Sequence, residues 1–97
     1  MAKIDAFEKI YKKDENIISR NIAGKTVLIP IQKTKENHQD IYHLNEVSSF
    51  IWELINNENS VWDLLKRVEN EFSIDNKTAK IDLVDFLNDL ESLKFIK

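Results

Sequence analysis

The alternation of apolar and polar positions changes period near residue 45, and that change divides the chain. Before it, Asn16–Ile22 and Lys25–Ile31 are short runs rich in Ile and Val around Ala23-Gly24, and Ile41–Leu44 is a third. These read as three strands, with Gly24, the single glycine, at a turn that needs positive φ. Pro30 closes the second run, where a missing N–H costs least. Gln32–Asp40 is uniformly polar and reads as a loop. Three strands joined in sequence form an antiparallel meander.

After residue 45 the period is helical. Asn45 can cap a helix over Glu46–Asn56, in which Val47, Phe50, Ile51, Leu54 and Ile55 share a face. Ser60, with Asp63 three residues on, opens a second helix with Val61, Leu64, Leu65, Val68 and Phe72 inward. A third begins near Asp75 or Asn76 and carries Ala79, Leu83, Phe86, Leu87, Leu90 and Leu93, with Phe95-Ile96 sealing the end. The expected core takes Val27, Ile29, Leu44, Phe50, Ile51, Leu54, Leu64, Leu65, Val68, Leu83, Phe86, Leu87 and Leu90. Trp52 and Trp62 fall off the core stripes, at positions where a helical wheel gives partial exposure, the alternative being that one or both fold back over the helix–helix contact. Lys3–Lys13 has a short helix-like stripe (Ile4, Phe7, Ile10, Tyr11), too short to stand alone in water. The domain reading is an N-terminal extension over 1–15 and one folded unit over 16–97.

Composition narrows the function more by exclusion than by suggestion. Hydrophobic residues make up 42% of the 97 and charged residues 32%, as in a soluble globular domain. No apolar run reaches the roughly 20 residues of a membrane span, and a cytoplasmic address is the default. The lack of Cys removes disulfides, thiolate metal sites and thiol nucleophiles. One glycine rules out a phosphate-binding loop. His38 and His43 lack metal-site spacing, and Asp82, Asp85 and Asp89 read as a solvated flank of the last helix. No catalytic residue, metal or cofactor is expected. Charge is uneven: residues 1–45 hold 8 Lys/Arg against 6 Asp/Glu, and residues 46–97 hold 6 against 11.

The ordered series of elements resembles the PqqD family, small peptide chaperones whose module also occurs as the RiPP recognition element. The resemblance rests on Val27-Leu28-Ile29-Pro30, then Leu44-Asn45-Glu46 leading to Phe50-Ile51-Trp52-Glu53-Leu54. It continues through Ser60-Val61, Leu64-Leu65, Glu71-Phe72, Asp75, Asp82, Phe86-Leu87, Leu90 and Phe95-Ile96, so that it covers about residues 16–97. It implies an α+β, winged helix-turn-helix-like fold: a three-stranded antiparallel sheet followed by three α-helices. It also implies a non-catalytic chaperone that binds the leader of a ribosomally synthesised precursor peptide and presents it to a modifying enzyme, of the radical SAM type. The long polar connection before the third strand and the added Lys3–Lys13 segment point to a peptide pathway other than quinone synthesis.

In this family the leader adds as a strand to the third strand and lies against the third helix. Carried over, that makes Ile41, Tyr42, His43 and Leu44 the docking edge. Lys77, Lys80, Val84 and Asn88, on one flank of the third helix, become the groove wall, with the lysines meeting leader carboxylates. The alternative with the same topology is a DNA-binding winged helix, besides other protein-interaction modules. Asp82, Asp85, Asp89 and Glu91 on the would-be recognition helix argue against DNA, since they repel phosphates. Partners are therefore a leader peptide and its enzyme, with no nucleic acid and no membrane.

Overall fold

The computed structural model describes residues 6–31 and 41–97. The expected polar loop at Gln32–Asp40, with His38, lies outside them, as do residues 1–5. Three strands, β1 (Ile17–Ile22), β2 (Lys25–Pro30) and β3 (Tyr42–His43), form an antiparallel sheet in the order β1-β2-β3. Three helices follow: α1 (Glu46–Leu54), α2 (Val61–Phe72) and α3 (Asn76–Ser92). This is the α+β arrangement expected from the change of period.

Local chemistry sets the boundaries. Ile22 pairs with Lys25 across a two-residue turn in which Ala23 (φ 54°) and Gly24 (φ 81°) are both left-handed. Such a turn matches the natural twist of the two strands. Asn21 Oδ1 steadies it by accepting from the Gly24 N–H at 3.1 Å. Asn45 caps α1 by accepting from the Ser48 N–H at 2.8 Å. Ser60 and Asp63 close a reciprocal capping box on α2: the Asp63 N–H donates to Ser60 Oγ (3.2 Å), and the Ser60 N–H to Asp63 Oδ2 (2.9 Å). Ser60→Ala is expected to cost about 1 kcal/mol, read as a lower denaturation midpoint with an unchanged slope. Asp75 caps α3 through the Thr78 N–H, a bond that holds its carboxyl below the usual carboxylate range.

The core lies where the three helices meet the inner face of the sheet. Leu28, Leu44, Ile51, Trp52, Ile55, Leu64, Leu65, Val68, Leu83 and Leu90 are all but sealed from solvent. Four expectations need correction. Leu28, not Ile29, joins the main cluster from the central strand: Val27 is buried as expected, outside that cluster, and Ile29 is half-buried. Successive strand residues point to opposite faces, so a choice displaced by one residue selects the wrong face. Phe50 and Leu54 are half-buried, and Phe50 meets Phe72 edge to face at 5.3 Å. Trp52 is 1% exposed, whereas Trp62 stays 37% exposed as expected.

The fourth correction concerns the N-terminal segment. Among the described residues of this segment, Ala6–Glu8 forms a turn of 3-10 helix. Beyond it the chain is extended and pinned at two bridges, Ile10 to Ser60 and Lys13 to Ile96. Backbone hydrogen bonds run from the Lys12 N–H to the Lys97 carbonyl (3.1 Å) and from the Lys97 N–H to Lys12 (2.9 Å). Tyr11 is buried and donates to Glu91 Oε1 at 3.3 Å, while Lys9 pairs with the other Glu91 oxygen at 3.1 Å. Phe7, against Trp62 of α2, and Tyr11, against Glu91 of α3, gain more here by packing on those helices than by closing a helix of their own.

Candidate functional site

Among the described residues β3 is the margin of the sheet, paired with β2 on one side only. Val27 faces His43 and Leu28 faces Tyr42, and the Leu44 N–H donates to the Thr26 carbonyl at 2.9 Å. In an antiparallel ladder the N–H and C=O of one residue point the same way, and alternate residues face alternate sides. Tyr42 and Leu44 therefore turn their backbone groups toward β2, and Ile41 and His43 turn theirs outward. Two residues of regular strand and an open margin leave a short docking edge.

Beside this edge a groove of about 370 Å³ opens between β3, α1 and α3. Tyr42, Val47, Ile51 and Phe86 supply its apolar surface, and Asp82, Asp85 and Asp89 stand along its α3 wall. Burial, followed by the Asp89 carboxylate, holds the Tyr42 hydroxyl above the usual tyrosine range. The Tyr42 ring is also fixed against Phe95, edge to face at 6.2 Å. A second concavity of about 620 Å³ lies past the other end of β3, lined by Gly24, Lys25, His43, Leu44, Asn45 and Glu46. Asn45 lines both concavities.

The structure brings together only part of the residue set expected from sequence. Ile41 (49% exposed) and His43 lie open at the edge, Tyr42 is half-buried in the groove, and Leu44 is anchored in the core. The Lys77, Lys80, Val84 and Asn88 stripe lies on the other flank of α3. Lys80 Nζ sits 5.5 Å from the Phe7 ring and 5.9 Å from the Trp62 ring, against α2 and the N-terminal segment. At 100° per residue the core stripe of α3 has two flanks, and the flank beside β3 carries Asp82, Asp85 and Asp89. All three are exposed, as the reading of a solvated flank expects. Their i, i+3, i+7 spacing was visible, but one helix's periodicity does not say which flank meets the sheet.

Among the described residues no group of His, Asp and Glu is placed to hold a metal ion, and no helix is long and apolar enough to cross a membrane. A family model described as "Coenzyme PQQ synthesis protein D (PqqD)" matches residues 25–96. No curated protein matches the chain. A solved structure, "TbiB1 in Complex with the TbiA(beta) Leader Peptide", is similar at a TM-score of 0.74 and 26% sequence identity, covering 89% of this chain and 94% of the other.

Proposed function

Since this chain belongs to the PqqD family, we propose that it binds the leader of a ribosomally made precursor peptide by strand addition at β3 and holds it for a separate modifying enzyme. The observation that carries this reading is the open edge of β3 beside a groove with an apolar floor. An extended guest gains backbone hydrogen bonds from the edge and selectivity from side-chain pockets next to it. The outward N–H and C=O of His43 and Ile41 take the guest backbone, Tyr42 floors the groove, and Leu44 ties the edge to the core. The similarity to TbiB1, solved in complex with a leader peptide, supports a leader peptide as the guest. The modifying enzyme is of the radical SAM type in this reading, and both partners are cytoplasmic.

The chain itself supplies no chemistry in this account. Its contribution is to raise the local concentration of the precursor beside the enzyme and to fix its direction, a gain that needs no new contact at the reacting atoms. The test is a modification assay with purified precursor and enzyme. Adding the chain is expected to accelerate modification of the full precursor and to leave a leaderless core peptide unaffected. Turnover of the precursor by the purified chain alone would contradict the reading, as would equal acceleration with and without the leader. DNA binding is disfavoured by the site itself, because three carboxylates on α3 would face phosphates.

A further inference from the structure

The groove fixes the sign of the charge on its guest. Asp82, Asp85 and Asp89 line it, and among the described residues no Lys, Arg or His lines it with them. Among the described residues none of the three carboxylates takes part in an ion pair, since the pairs present are Lys9–Glu91 and Lys97–Asp14. The lysines of α3 do not compensate, because Lys80 is held on the far flank over Phe7 and Trp62. An acidic guest strand entering this groove would bring carboxylates against carboxylates.

We infer that the leader accepted by this chain carries Lys or Arg on its α3-facing side, spaced basic–x–apolar–x–basic. This rests on the leader-binding reading and specifies the peptide class. Side chains on one face of a strand recur every second residue, about 6.8 Å apart. Two basic residues four positions apart are thus about 13.6 Å apart. Asp82 and Asp89 are separated by about 10 Å along the helix axis, and flexible lysine or arginine stems take up the difference. The apolar residue between them comes over Phe86, Val47 and Ile51, the floor of the groove. Complementary charge of this kind selects partners and speeds encounter more than it adds affinity, and it weakens with salt.

The test is a selection of short randomised peptides on the immobilised chain at physiological salt, with binders mapped by amide shifts of the labelled protein. Binders that move residues 41–44 and 82–89 are expected to be enriched in Lys or Arg at alternate positions around an apolar residue. Replacing all three carboxylates (Asp82→Asn, Asp85→Asn, Asp89→Asn) should remove that enrichment, weaken the best basic binder roughly tenfold and flatten its salt dependence. All three positions are exposed, so the fold should persist, and circular dichroism checks this. Binders that map to β3 but are acidic or indifferent to charge overturn the inference and leave strand addition standing. A selection that yields no binder at β3 overturns both.

Discussion

Trp52→Ala is expected to destabilise the domain by about 3–5 kcal/mol, the largest effect of any single truncation. Trp52 is the largest of the fully buried side chains, packed in the cluster formed by α1, α2, α3 and the sheet. Its ring also carries Lys13 Nζ at 4.9 Å, which joins the N-terminal segment to the core. Alanine would leave a cavity at this junction and loosen that segment along with it. For a domain whose total stability is about 5–15 kcal/mol, much of the population would unfold under mild denaturant. Trp52→Phe separates packing from polarity. The indole Nε1 is buried with no hydrogen-bond partner among the described residues, so phenylalanine removes an unsatisfied donor while keeping most of the volume. Its cost should stay well below that of alanine. Equal midpoints for the wild type and Trp52→Ala in urea would show that the ring does not bear on the core.

The second large effect concerns the guest. Proline scanned through a bound leader should weaken binding with a period of two. A guest residue whose N–H donates to the outward carbonyl of His43 or Ile41 loses that bond on substitution, and the acceptor is left unmatched at the edge of a partly dry groove. The cost is about 1–3 kcal/mol, or roughly 5- to 150-fold in Kd. Intervening residues point their N–H to solvent, so proline there should be tolerated better. A flat proline profile, measured by fluorescence anisotropy of labelled peptides, would remove strand addition from the account.

Much of the architecture was legible because local rules and global packing agree. The capping residues Asn45, Ser60 and Asp75 sit where the period changes, and each is observed as a cap. The misreadings share a physical origin in tertiary placement. Trp52 lies off the stripe of α1 on a helical wheel, which assumes one buried face. Here α1 is covered on a second side, where Lys13 stacks on the ring. Leu28 is hard to pick out because β2 carries Val27, Leu28 and Ile29 in succession, and such a run does not alternate. The positions of the candidate site residues divide in the same way. The edge at 41–44 follows from strand order, which sequence shows. The choice of α3 flank depends on which side of the core stripe the sheet takes, and that follows from packing handedness. The consequence is large, since one flank offers lysines and the other aspartates.

The central claim is that a leader strand docks along β3 with α3 as its wall. Titrating the isotopically labelled chain with the leader of its precursor, and following the backbone amides, tests it most directly. The account predicts shifts concentrated at residues 41–45 and at 82–89, with the amide of His43 newly protected from exchange. Shifts confined to α2, with those two stretches unmoved, would contradict it.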